Sequence, residues 1–333
     1  MVTLGSARGR MIRLRHIVTL GVCSLALAQW FGAPPARALA GGQGAIITGN
    51  PAPTPEQIHA LILRAIENQH RNDRAMAEFE RTEHVIIHKG ENGEIISDVT
   101  ERILPSGTGT MKLPMVENGV PVTPEAYRGE LEGAIVALDL AMHPNERYKD
   151  DLAKFEKRSR NRSDLVDETA NAFRVTWAGR ETRTDWAGAR PPRTLVKLLL
   201  DPDPNFKPVT RFAASFQHAH ATLWVDEAQS QFARLEGDIT SDIVFVGGVA
   251  GKVYHGGHFV VEHEEVAPGI WLPTLYIYNV DGRKFLFAFG IHERTEVARY
   301  RRIGPPSQAI ETIRNEWNRL SAASSSGNTP GAK

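Results

Sequence analysis

Apolar residues recur at two different periods along this chain, and the switches between those periods mark out its elements. Ile58, Leu61, Ile62, Ala65 and Ile66 follow a helical spacing and give one apolar face. Thr54-Pro55-Glu56-Gln57 precedes them with Thr as N-cap, Pro at the first helical position and Gln to complete a capping box. Thr123-Pro124-Glu125 opens a second helix in the same way, with Tyr127, Leu131, Ala134, Ile135, Leu138 and Met142 along one side. Pro144 should break that helix, and a charged segment resumes it to about Arg162. A last helix starts near Pro306, with Ile310, Ile313, Trp317 and Leu320 on one face.

The remainder reads as strands joined by tight turns. Met76 to His88, Glu94 to Leu104 and Thr110 to Met115 are separated by Gly90-Glu91-Asn92-Gly93 and by a Pro/Gly turn, and Asn118-Gly119 marks another. A second group runs Phe173 to Ala178, Arg193 to Leu200, Ala219 to Val225, Gln231 to Ile239, Phe259 to Val266, Ile270 to Val280, Lys284 to Ile291 and Val297 to Ile303. Val280-Asp281-Gly282-Arg283 has the composition of a hairpin turn. Short connections favour antiparallel neighbours, because parallel strands need long crossovers. The expected fold is mainly β (α+β), a large curved antiparallel sheet or incomplete β-barrel with helices over its concave face.

The ends of the chain differ from its middle. Arg8, Arg10, Arg13 and Arg15 precede an apolar run from Ile17 to Ala28, and Ala38-Leu39-Ala40 fits a signal peptidase site. That pattern predicts a signal peptide over residues 1–40, a linker over 41–53, a single domain over 54–320 and a disordered tail over 321–333. The mature chain is then expected in the periplasm or outside the cell, after cleavage near Ala40. The whole chain of 333 residues carries no formal net charge. Removing the leader takes five Arg and no acid, leaving 34 basic and 39 acidic side chains and no basic footprint for nucleic acid. It also removes Cys23, the one cysteine, so neither disulfides nor thiol chemistry are expected. A lipidated Cys23 fits less well than ordinary cleavage, because Val22 precedes it where lipidation wants a small residue.

Histidines carry what enzyme signal there is. His218 and His220 alternate on one strand face, and His255, His258 and His263 follow, with Glu262, Glu264 and Glu265 nearby. A zinc ion would suit His218, His220 and His258, but their spacing matches no established metal motif. Ser215 lacks the flanking glycines of a nucleophile elbow, and Gly247-Gly248-x-x-Gly251 lacks the spacing of a phosphate loop. No cofactor is called for. Lys154, Lys157, Arg158, Arg160 and Arg162 crowd into nine residues; they read as a solvated helix face or as a contact for anionic lipid headgroups.

Several motifs together resemble a known group. His220-Ala-Thr-Leu-Trp-Val-Asp-Glu227 followed by Ala233-Arg-Leu-Glu-Gly237 resembles the strand, WVD turn and strand of LolA/LolB-like periplasmic lipoprotein carriers. Glu265-Val-Ala-Pro-Gly-Ile-Trp-Leu-Pro273 and Val116-Glu-Asn-Gly-Val-Pro-Val-Thr-Pro-Glu125 are similar to turns of secreted proteins related to that fold. In these motifs Asp226 starts a turn, Trp224 and Trp271 pack, and Pro273 suits a strand edge. The resemblance spans most of residues 55–303. It implies a half-barrel enclosing an apolar cavity for acyl chains, no catalysis, and a lipid or acylated lipoprotein as partner, with transient contact at a membrane surface. On that reading the helices from Thr54 and Thr123 cover the cavity. Phe245, Val246 and Val249 would belong to a cavity lip, and Phe285, Phe287 and Phe289, which alternate, to its wall. The same residues fit a plain core, and an envelope scaffold filled by its own helices stays open beside a His-dependent metallohydrolase.

Overall fold

The computed structural model describes residues 51–184, 191–245, 251–285 and 287–326. The leader, its cleavage site, Val246 and Val249 lie outside the described residues. Among the described residues four helices and thirteen strands follow one another: α1 Pro55–Met76, β1 Phe79–His88, β2 Ile95–Pro105, β3 Thr110–Glu117, β4 Val120–Pro121, α2 Pro124–Met142 and α3 Glu146–Ala172. Then come β5 Phe173–Arg183, β6 Arg193–Pro202, a 3-10 turn Ala213–His218, β7 Ala219–Asp226, β8 Gln231–Ile239, β9 Ile243–Phe245 and β10 Gly251–Val253. β11 His258–Ala267, β12 Ile270–Lys284, β13 Phe287–Arg302 and α4 Pro306–Ser326 follow.

The strands form one open antiparallel sheet in the order β4-β3-β2-β1-β13-β12-β11-β8-β7-β6-β5, with the β9–β10 hairpin attached to β12. The fold class expected from the sequence is the one observed. Local chemistry explains the helix starts. Thr54 Oγ1 accepts from the Gln57 amide, and Gln57 Oε1 accepts from the Thr54 amide at 2.8 Å, closing the capping box. Asn145, next to Pro144, caps α3 by accepting from the Tyr148 amide at 2.8 Å. That helix runs ten residues past Arg162, because Leu165, Val166 and Ala172 find buried positions. α4 likewise continues through Ser326, so its last turn falls in the segment read from sequence as tail. Among the described residues no helix is long and apolar enough to cross a membrane.

Turns divide into those composition identified and those it misplaced. Asn118 and Gly119 both take positive φ, at 50° and 79°, and join β3 to β4. Asp281-Gly282, by contrast, is no turn. β12 runs straight through it, Gly282 pairs with Phe289, and Lys284 pairs with Phe287 at the true reversal. Gly282 is required for close approach: a Cβ there would meet the Lys252 carbonyl oxygen at 2.5 Å and the Phe289 ring at 2.6 Å. Pro273 also departs from expectation. It lies in an interior strand, opposite His263, where a β-bulge after Glu262 interrupts the ladder and a missing N–H is tolerated.

Two helix pairs cover different parts of the sheet. α1 and α3 lie over the β5–β8 side, where Ile62, Ala65 and Ile66 pack with Leu198, Leu223 and Val225. α2 and α4 lie over the β2–β3 side, where Leu131, Leu138, Ile310 and Ile313 pack with Leu104 and Leu113. On the opposite face Trp224 and Trp271 pack with Leu195 and Ala233, as the hairpin motif implied, and Arg193 lies over the Trp271 ring at 4.9 Å.

A buried polar junction ties the second pair down. Arg102, 8 % exposed, donates to Glu80 Oε2 at 2.7 Å, to the Tyr127 hydroxyl at 2.8 Å and to Glu316 Oε2 at 2.8 Å, linking β2, β1, α2 and α4. Burial opposes the Arg102 charge, but Tyr127 and Glu80 outweigh it and raise its pKa. Removing one partner of such a set strands the others without compensation. Arg102→Leu is expected to lower unfolding stability by roughly 3–5 kcal/mol in urea denaturation. Arg294→Ala, which breaks the exposed pair with Glu296, should cost less than about 1 kcal/mol.

Candidate functional site

Between α1, α3 and the concave sheet face lies a cavity of about 100 Å³. Strand alternation supplies its floor. Ala219, Ala221 and Leu223 of β7 face inward together, as do Phe259, Val261 and His263 of β11, with Leu235 of β8 between them and Phe173, Val175 and Leu200 at one side. Ile62 and Gln69 of α1 and Arg162, Val166 and Thr169 of α3 form the roof. The helix from Thr54 therefore covers the cavity as expected. The helix from Thr123 does not: its apolar face is occupied by α4 and β3. α3 takes its place.

One corner of the cavity is polar. Arg162 Nε donates to Asp73 Oδ2 at 2.8 Å and its Nη2 to Asp73 Oδ1 at 3.0 Å, and Gln69 Nε2 donates to the same Oδ1 at 2.8 Å. Arg162 is thus no part of the solvated basic face of α3. Its side chain is partly exposed, contributes to the cavity wall and is held by Asp73. Burial works against the Asp73 charge, but the guanidinium and the Gln69 amide outweigh it and hold the carboxyl below its usual range. For Arg162 burial is likewise outweighed by Asp73, and its pKa rises. His263 has no such support. Burial, reinforced by the Arg162 charge and only partly opposed by Asp73 and Glu262, lowers its pKa to about 4, so it is neutral at pH 7. Tyr276 is pushed up to about 12, chiefly by burial.

A second polar link joins the covering helices. His70 of α1 contacts Asp167 Oδ1 at 2.7 Å through Nε2 and Ser163 Oγ at 3.3 Å through Nδ1. These are the residue types of a hydrolytic triad, but Ser163 sits inside a helix whose amide groups already serve carbonyls four residues back. The set links α1 to α3.

The residues singled out from sequence lie elsewhere. Phe245 is buried with Ile239, Ile243, Val253, Phe259 and Val280, in a cluster that adjoins the cavity through Ala219 and Phe259. Phe289 packs half-buried against that cluster. Phe285 sits at the β12–β13 reversal with φ 53° and is 55 % exposed, and Phe287 is 78 % exposed. None of these four lines the cavity. The three histidines each have a separate partner: His218 Nδ1 meets Ser241 Oγ at 2.8 Å, His220 Nδ1 meets Asp201 Oδ1 at 2.6 Å and His258 Nδ1 meets Asp238 Oδ1 at 2.7 Å. Among the described residues no three His, Cys, Asp or Glu are grouped to hold a metal ion.

Asp73 and the cavity role of Arg162 escaped sequence reading, although a signal existed. The apolar stripe of α1 continues in phase into Gln69, Asn72 and Asp73, polar types at positions that should be buried. His263 sits in phase with Phe259 and Val261 in the same way.

The lowered pKa of His263 has a sign that can be checked. The unfolded chain binds this proton near pH 6.5 and the folded chain only near pH 4. The stabilisation is therefore complete above about pH 6.5 and is lost as pH falls toward 4. Urea titrations at pH 7 and pH 5 should show wild-type stability falling by about 2 kcal/mol, and His263→Phe should flatten that slope.

Comparison with known proteins gives little beyond this. No protein-family model matches the chain, and no curated protein matches it. Among solved structures it is similar to a chain from Vibrio parahaemolyticus, provisionally described as an outer membrane lipoprotein-sorting protein domain. The two share 9 % identity over 72 % of this chain and 92 % of that one, with a TM-score of 0.26. A likeness at that score carries neither a residue role nor an activity across.

Proposed function

We propose that this chain is an exported, non-enzymatic binding protein of the cell envelope that holds an acyl chain of a lipid or lipoprotein in the cavity under α1 and α3. The observation that carries this reading is the composition of that cavity: a partly open space lined mainly by aliphatic and aromatic side chains, between a concave sheet and two helices. The cationic leader and its small-residue cleavage site support export. Transfer of acyl surface from water would supply about 25 cal/mol for each Å² buried.

A volume near 100 Å³ receives only a short apolar segment. Accepting a longer chain requires α1 and α3 to lift from the sheet. The same small volume favours a second reading, an envelope scaffold whose helices fill the sheet and leave no room for a ligand.

Lipid extraction and mass spectrometry of gently purified protein separate the two. The binding reading expects co-purified acyl lipid in wild type and at least a fivefold loss in Ala221→Leu, which adds bulk to the cavity floor, with the fold retained by circular dichroism. Absence of lipid from wild type, together with no binding of a fluorescent fatty acid or its ester, leaves the scaffold reading in place.

A further inference from the structure

The cavity is apolar at one end and polar at the other, and the gradient follows from elements read in phase. Along β11 the inward residues pass from Phe259 and Val261 to His263. Along α1 Ile62 is followed seven residues later by Gln69, and along α3 Thr169 and Val166 lead back to Arg162. Tyr276 of β12 stands opposite Val261 and so diagonal to His263, which completes the polar end. Arg162 and Asp73 act electrostatically on both His263 and Tyr276, so the two side chains share one neighbourhood.

Most polar groups on this wall are already served. Arg162 is held at two points by Asp73, Gln69 donates to the same carboxylate, and Thr169 Oγ1 donates to the Val166 carbonyl at 2.6 Å. Arg234 pairs with Glu236 and Glu262. His263 and Tyr276 differ. Both line the cavity and keep accessible surface, and among the described residues neither has a hydrogen-bond partner. The imidazole is neutral at pH 7, so its ring offers one N–H and one lone pair, and the phenol both donates and accepts. A ligand group that only accepts, such as an ester, an ether or a carboxylate, leaves the imidazole lone pair unmatched. An alcohol hydroxyl donates and accepts at one atom and serves both rings.

We infer that the cavity takes a lipid with a free hydroxyl at the head of its apolar chain, as in a monoacylglycerol, the hydroxyl bridging the His263 imidazole and the Tyr276 phenol while the chain lies along Val261, Phe259 and Phe173. This rests on the acyl-binding reading above and names the head-group chemistry of its ligand. The apolar end supplies affinity, and the two rings supply orientation and selectivity.

Displacement of the neutral dye N-phenyl-1-naphthylamine from the full chain at pH 7, by 1-octanol and by its isomer 1-methoxyheptane, tests it. The two probes have the same atoms, and only the alcohol donates a hydrogen bond. The alcohol is expected to displace the dye at a concentration about tenfold lower. Tyr276→Phe keeps the ring and its stack on Tyr278; it should cut that preference to about two- to threefold and leave the ether's affinity unchanged. His263→Phe should do the same, whereas a merely structural role would weaken both isomers alike. Equal displacement by the two isomers in wild type, or a preference that survives both substitutions, overturns the inference while the acyl-binding reading stands. A dye that does not bind, or that neither isomer displaces, overturns the acyl-binding reading and the inference with it.

Discussion

A sheet this wide has a concave face that its own strands cannot cover, and burying that face is the constraint on which the rest of the molecule depends. Each strand presents alternate side chains to it, so apolar surface accumulates strand by strand across the sheet. The sheet stays open, with β4 and β5 at its edges, and closure into a barrel interior is therefore not the solution adopted. Helices must do the covering, and they come in two pairs whose contacts differ in kind. The α2–α4 pair is fixed by close apolar packing and by the Arg102 junction, which reaches two strands and both helices. The α1–α3 pair packs against the sheet less completely and leaves the cavity.

That difference gives the two sides of the sheet different mechanical character. Arg102 lies where every partner is supplied by a different element, so displacement of any one strands a buried charge. On the cavity side polar links join the two covering helices, Arg162 with Asp73 and His70 with Asp167 and Ser163, and others tie α1 to the β7–β8 turn, Arg64 with Ser230 and Asn68 with the Gln229 and Ser230 carbonyls. α1 is also tied to the sheet through Asn72, which meets Gln231 at 2.9 Å and accepts from the Trp271 amide at 3.2 Å.

The element pattern was largely legible because period and turn chemistry are local. The capping box at Thr54, the Asn118-Gly119 turn and the alternation in β7 and β8 all appear where the residues place them. Asp281-Gly282 failed for an instructive reason. A glycine serves either a positive φ or a close approach, and only the neighbouring strand decides which; here Phe289 and the Lys252 carbonyl occupy the space a side chain would need. The histidines failed in the same way. His220 and His258 do flank one residue, Asp238, across neighbouring strands, but each closes its own carboxylate pair.

Sequence by itself determined the class of the fold, the helix starts, most strand pairings and the expectation of export, because each is written in spacing, capping and composition over a few adjacent residues. Tertiary structure decided which helix covers the cavity, that Arg162 leaves a run of solvated cations to face inward, and that Phe285 and Phe287 end in solvent while Phe245 is buried. The physical reason is the same in each case. Burial and charge pairing depend on what stands opposite, and residues as far apart as Asp73 and Arg162 become partners only when two helices meet over one sheet.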